Sequence, residues 1–180
     1  MRATVRPEKL REAFGAKLST AVFALHKLRE ADQPRLNQYP EPHSIVVEFL
    51  HASRGVFPIA ETFDPPGFLA WVAQWKRKRL PKSEQLALWD EMHTARRFQE
   101  HGEGAGLIPF QIEVTQGDQI QRFHNATLLG TRLSENRSWK GGVRFEAYED
   151  RPVSEVCAEY FGMCQQFVDD FLHDHAHLLL

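Results

Sequence analysis

Leu10, Phe14, Leu18, Val22, Leu25 and Leu28 recur at steps of three and four residues between Pro7 and Arg29. A period of 3.6 places such a set on one face of a helix, and that face has to be buried against other elements. The pattern returns near the other end of the chain. There Asp150-Arg151-Pro152 opens a helix whose apolar side carries Val153, Val156, Tyr160, Met163, Cys164, Phe167 and Phe171. Two long amphipathic helices in one chain predict a bundle, and the residues between them must supply its other walls.

Those residues divide into recognisable pieces. Asp32 to His43 is rich in Pro, Asn and Gln and reads as a loop. Ser44 to Ala60 carries Ile45, Val46, Val47, Phe49, Leu50, Val56 and Ile59. Its β-branched start also suits a strand, but its length favours a buried helix broken near Gly55 or Pro58. Asp64-Pro65-Pro66 is a helix start, with a capping acid ahead of proline in the first turn. The helix it opens holds Phe68, Leu69, Trp71, Val72 and Trp75, then Lys76-Arg77-Lys78-Arg79. Pro81-Lys82-Ser83-Glu84 ends that helix and caps the next, which runs to His101 and closes at Gly102.

After Gly106 the period becomes two. Ile108, Phe110, Ile112 and Val114 alternate, Gln116-Gly117-Asp118 turns the chain, and Ile120, Phe123, Leu128 and Leu129 continue an extended pattern. Ser134 to Gly142 reads as an exposed loop, and Val143 to Tyr148 as a third strand. The predicted architecture is mainly α, a bundle of about five helices with a small antiparallel hairpin or three-stranded insertion before the last helix. It is expected as a single domain over 1–180, with the bundle core at 1–105, the β insertion at 106–150 and the final helix, packing back on the bundle, at 151–180.

At 180 residues the chain is long enough to bury a core without disulfide or metal help. Cys157 and Cys164 stand two helical turns apart, roughly 10 Å and beyond disulfide reach, and read as reduced core thiols. A net charge of −2 argues against coating nucleic acid through bulk charge, so any such contact has to use a local patch. No apolar run approaches a membrane span, Met1 to Lys9 shows no secretory signal, and a cytoplasmic location is expected. The absence of a Gly-rich phosphate loop, a Ser nucleophile motif and paired-cysteine spacing disfavours P-loop NTPases, α/β-hydrolases and zinc fingers.

The densest chemistry lies in Met92 to Gly102. With about 100° per residue and His93 at zero, Arg97 falls near 40°, Glu100 near 340°, Arg96 near 300° and His101 near 80°. Leu88, Met92 and Ala95 take the opposite side, with Trp89 and Phe98 at the boundary. Histidine exchanges protons near neutrality and arginine holds phosphates or oxyanions, a combination that suits phosphodiester chemistry. The same face also fits a simply solvated helix, since Arg96 and Glu100 have ordinary ion-pair spacing.

Arg96-Arg97-Phe98-Gln99-Glu100-His101 resembles the arginine, polar residue, three residues, histidine motif of the HEPN superfamily, the higher eukaryotes and prokaryotes nucleotide-binding domains. These are small helical bundles, often dimeric, many of them metal-independent endoribonucleases of toxin–antitoxin and defence systems. The resemblance implies that Arg96 and His101 are the catalytic pair, with Arg97 in a slot that commonly holds Asn, Asp or His. It implies a homodimer whose two motifs meet at the interface, RNA or a nucleotide as ligand, a possible cognate protein partner, and no cofactor or metal. His101 would act as general acid or base and Arg96 would stabilise phosphorane charge. His93, Arg97 and Glu100 would position the substrate.

Three other groupings stand beside this one. Trp71 and Trp75 with Lys76, Arg77, Lys78 and Arg79 form an aromatic-then-basic run able to hold RNA, or else a core edge with a solvated end. Asp169, His173 and His177 have metal-ligand spacing but would leave a site incomplete, and no metal is expected. Arg132, Asn136, Arg137, Trp139 and Lys140 make a polar loop that could meet a ligand or partner. A non-catalytic helical interaction or dimerisation module is the alternative that the same sequence allows.

Overall fold

The computed structural model describes residues 7–31, 42–63, 66–100, 107–116, 119–124, 137–148 and 151–176, with side chains outside 94–100 and most of the strands. The protein is mainly helical. Helix α1 spans Pro7–Ala31, α2 Pro42–Arg54, α3 Val56–Phe63, α4 Phe68–Arg79, α5 Ser83–Glu100 and α6 Val153–Asp174. No helix among the described residues is long and apolar enough to cross a membrane.

The segment expected as one broken helix is two. At Gly55 the backbone N–H donates to the carbonyls of both His51 (3.2 Å) and Ala52 (3.0 Å), tightening the end of α2. Pro58 then lies in the first turn of α3, where a missing N–H costs nothing. A Cβ at Gly55 would lie 2.7 Å from Cδ of Lys17 on α1 and 3.1 Å from the Ala52 carbonyl, so a larger residue there would make the flexible lysine side chain shift.

The core is where the periodicity puts it. Leu10, Phe14, Leu25 and Leu28 of α1 are buried, as are Val153, Val156, Tyr160, Met163, Cys164, Phe167 and Phe171 of α6. Phe167 is a hub, with ring centroids 4.6 Å from Phe57, 5.2 Å from Trp71 and 5.3 Å from Trp75. Edge-to-face packing of this kind adds to simple area burial and fixes the angles at which α3, α4 and α6 meet.

Between α5 and α6 the backbone forms strands β1 (Leu107–Gln116), β2 (Gln119–His124) and β3 (Arg137–Phe145), antiparallel in the order β2-β1-β3. β3 begins inside the stretch expected as a loop, because Arg137 to Gly142 pairs with β1, Lys140 opposite Glu113 and Gly142 opposite Gln111. The register shifts between Ile108 and Gln111, beside Gly141-Gly142, where the lack of side chains eases an irregular pairing. Phe145, 1% exposed, joins the end of β3 to the helical core, and a 3-10 turn at Glu146–Tyr148 follows, also within the expected strand.

Candidate functional site

Helix α5 is anchored by Leu88, Trp89 and Met92, all essentially buried. His93 follows Trp89 by one turn and goes inward with it. Its ring stacks on Trp89 at 4.9 Å and packs against Phe57 at 4.9 Å and Tyr160 at 6.0 Å. Its Nδ1 donates to the Trp89 carbonyl at 2.8 Å, and the Tyr160 hydroxyl lies 3.5 Å from the same nitrogen. Nη1 of Arg54, at the end of α2, donates to the His93 carbonyl at 3.1 Å, tying α2 to the middle of α5.

This placement corrects the polar stripe to which helical spacing assigns His93. One turn from a buried tryptophan, its half-buried ring stacks in the aromatic layer with Trp89, Phe57 and Tyr160. Burial, then the nearby Arg54 guanidinium, lower its pKa to about 4 against the opposing hydrogen bond to Trp89. The imidazole is neutral at pH 7.

Arg96, Arg97 and Glu100 follow in the last turns of α5. Their side chains, and the whole of His101, lie outside the described residues. The loop residues Arg132 and Asn136 also lie outside them.

The basic run on α4 separates into two pairs. Taking Leu69 as zero, about 100° per residue places Phe68, Trp71 and Trp75 between roughly 200° and 260°, toward α6. Lys76 and Arg79, near 340° and 280°, flank that inner side. Lys78, near 180°, borders it at Trp71 and lines a small cavity with Trp71, Trp75, Asp170 and Asp174, and Arg77, near 80°, lies away from it.

Arg79 grips Asp170 with Nε on Oδ2 at 2.7 Å and Nη2 on Oδ1 at 2.6 Å. Lys76 Nζ lies 2.8 Å from Asp90 Oδ1 and over the Trp89 ring. Arg77 donates only to the Ala73 carbonyl of its own helix, at 3.2 Å. Among the described residues neither Arg77 nor Lys78 meets a carboxylate.

The tryptophans are equally committed. Trp75 is 4% exposed and its indole N–H donates to Asp170 at 2.9 Å. The Trp71 N–H donates to Asp174 at 3.0 Å, with its ring against Phe167 and Phe171. Burial raises the pKa of Asp170, but donation from Arg79, Trp75 and Gln166 outweighs it and holds the carboxyl below its ordinary value. Sequence reasoning missed Asp90, Asp170 and Asp174. The only signal was the one-turn spacing of Gln166, Asp170 and Asp174 on α6, which a solvated helix face shows as well.

A cavity of about 330 Å³ opens between the end of α4, the start of α5 and α6, lined by Trp75, Arg79, Gln85, Glu159 and Gln166. Its rim charges are already met within the protein, Arg79 by Asp170 and Glu159 by Arg151 at 2.8 Å. Asp169 and His173 are exposed on α6, His177 lies outside the described residues, and no cluster of three metal-ligating side chains occurs among the described residues. Cys157 and Cys164 are buried and unbonded to each other, and burial pushes the Cys164 thiol up to about 12, so it is not a thiolate nucleophile.

Comparison of the chain with family models, with characterised proteins and with solved structures returns no match.

Proposed function

We propose that this chain is a HEPN-like protein that handles RNA or a nucleotide and acts as a metal-independent endoribonuclease. Its site is the C-terminal end of α5, with Arg96 and His101 as the catalytic pair and Arg97 and Glu100 positioning the substrate. One observation supports this most. α5 is packed into the core through Leu88, Trp89 and Met92, is tied to Arg54 at half-buried His93, and runs on unbroken to Glu100. The motif therefore follows directly on a rigidly held segment, as a preorganised site requires. Proton transfer at a ribose 2′-hydroxyl or the leaving oxygen falls to His101, and stabilisation of the phosphorane to Arg96. In this reading the chain is a homodimer and the three strands are an accessory to the bundle.

A second reading has its own support. Asp90 and Asp170 hold Lys76 and Arg79, so the basic run offers an incoming backbone only half of its cations. That favours a non-catalytic interaction module on the same scaffold, because fold does not decide between the two. The test is cleavage of a mixed RNA pool in chelator by wild type, Arg96→Ala and His101→Ala, with helical content checked by circular dichroism. Cleavage by wild type lost in both folded variants supports the ribonuclease. A folded wild type that leaves the pool intact transfers the reading to the interaction module.

A further inference from the structure

A groove of about 270 Å³ lies between the first turns of α1 and α3, with Leu10, Ala13, Pro58, Ile59 and Phe63 as its apolar walls. Of its described lining residues only Lys9 and Thr62 are polar. An apolar groove open to water favours an apolar occupant, because covering its walls releases the water they order.

The course of α6 shows which part of the chain arrives there. Tyr160 packs on Phe49 of α2, and about three turns later Phe171 packs on both Phe14 of α1 and Phe63 of α3, with ring centroids 6.0 Å and 6.1 Å apart. Phe63 is itself a groove wall, and Leu10 lies one turn before Phe14 on the buried face of α1. The last turn of α6 is pinned in place. His175 is buried, its ring stacks on Phe171 at 4.1 Å, and its Nδ1 donates to the Phe171 carbonyl at 2.9 Å. The chain therefore leaves α6 from a fixed point one turn past the residue that meets the groove wall.

His177-Leu178-Leu179-Leu180 follows, outside the described residues. Its leucines form an apolar run, and Leu178 comes seven residues after Phe171, so the spacing of the buried α6 stripe continues into them. Extended, these four residues reach about 13 Å, more than the roughly 10 Å breadth of a helix. Residues 1–6, which precede α1, carry Arg2 and Arg6 and offer no such run. We infer that Leu178, Leu179 and Leu180 dock in the groove between α1 and α3, strapping the first turns of α1 to α3. Held beside the groove by α6, the segment fills it at an effective concentration that a free apolar partner has to exceed. The inference stands whether or not α5 cleaves RNA.

The experiment is methyl NMR of the full chain labelled at Ile, Leu and Val. The Ile59 methyls are expected to show nuclear Overhauser contacts to methyls of Leu178, Leu179 or Leu180, each leucine assigned by the signals that vanish in Leu178→Ser, Leu179→Ser or Leu180→Ser. The triple serine variant should lose every such contact and shift the Ile59 signal. Circular dichroism checks that it folds, and the single variants carry the assignment whether or not it does. No contact between these leucines and Ile59 overturns the inference. So do contacts to Ile59 from Val5, which give the groove to the segment before α1. Contacts found only between differently labelled copies in a mixed sample also overturn it, because the leucines then come from a second copy.

Discussion

Lys76 and Arg79 belong to the same four-residue run as Arg77 and Lys78, yet the first pair is part of the tertiary structure and the second is not. Position on the helix accounts for Arg77, while Lys78 borders the inner side and still makes no ion pair among the described residues. Residues 76 and 79 flank the side of α4 that Trp75 occupies, within reach of Asp90 on α5 and Asp170 on α6. Arg77 points away from both helices, while Lys78 sits beside Trp71 at a small cavity that Asp170 and Asp174 of α6 also line. A charge run read as one patch is thus several things: Lys76 and Arg79 are struts between helices, Lys78 borders a cavity beside Trp71, and Arg77 lies outward near exposed Leu69. The lesson extends to α5, where His93, alike in type to any surface histidine, is drawn half-buried against the aromatic layer by its place one turn after Trp89.

The contrast between the two sides can be broken most forcefully at Trp75. Trp75→Ala removes a buried indole that touches Trp89 and Phe167, and should cost about 3–5 kcal/mol in urea unfolding. A loss below about 1 kcal/mol would show that the inner side of α4 is not part of the core.

His93 gives the next largest effect, through pH. Its folded pKa of about 4 lies below an unfolded value of 6.5, so the unfolded chain binds more protons between those limits and stability rises with pH there. The contribution is complete above pH 6.5 and is lost as pH falls to about 4, a change of roughly 3 kcal/mol. His93→Phe should flatten that interval in unfolding curves taken from pH 7 to pH 4. An unchanged slope would place His93 in solvent after all.

Asp170→Ala removes the acceptor shared by Arg79, Trp75 and Gln166, leaving the Trp75 N–H buried without its partner, at a cost of about 1–3 kcal/mol. Since the folded pKa of Asp170 is lowered, its contribution is present above its ordinary value of 3.8 and is lost as pH falls further, a window below that of His93. A double-mutant cycle with Arg79→Ala should show coupling, and simple additivity would mean that the pair is not formed in solution. Lys76–Asp90 should matter less, because Asp90 is 58% exposed and such pairs contribute about 0–1 kcal/mol.

The smallest effects belong to the outer side. Leu69→Ala and Arg77→Ala should each change stability by no more than about 0.5 kcal/mol, since neither touches the core. A larger loss on Leu69→Ala would sharpen the comparison differently, by revealing an intramolecular cover over that side.

Much of the bundle was legible beforehand because helix periodicity needs no knowledge of partners. The stripe from Val153 to Phe171 is buried as spacing predicts, the break at Gly55 falls where a glycine precedes a proline-bearing turn, and Leu88 and Met92 face inward. The site was less legible. Helical spacing put His93 with Arg97, because a wheel of one helix does not record that Phe57 and Tyr160, from α3 and α6, extend the core to cover it. The strand at Arg137 was missed because polar residues and paired glycines resemble a loop until a neighbouring strand supplies hydrogen bonds.

By itself, then, the sequence determined the helices, their apolar faces and the concentration of His and Arg at the end of α5, since each follows from local spacing and residue chemistry. Only the tertiary structure decided which cations are bound by Asp90 and Asp170, that the tryptophans give up their N–H groups inside the molecule, and that His93 is a half-buried, neutral imidazole against the aromatic layer. Those outcomes depend on groups up to 103 residues apart along the chain, as Trp71 and Asp174 are. Burial and charge pairing arise from neighbours in space, and a linear pattern does not contain them.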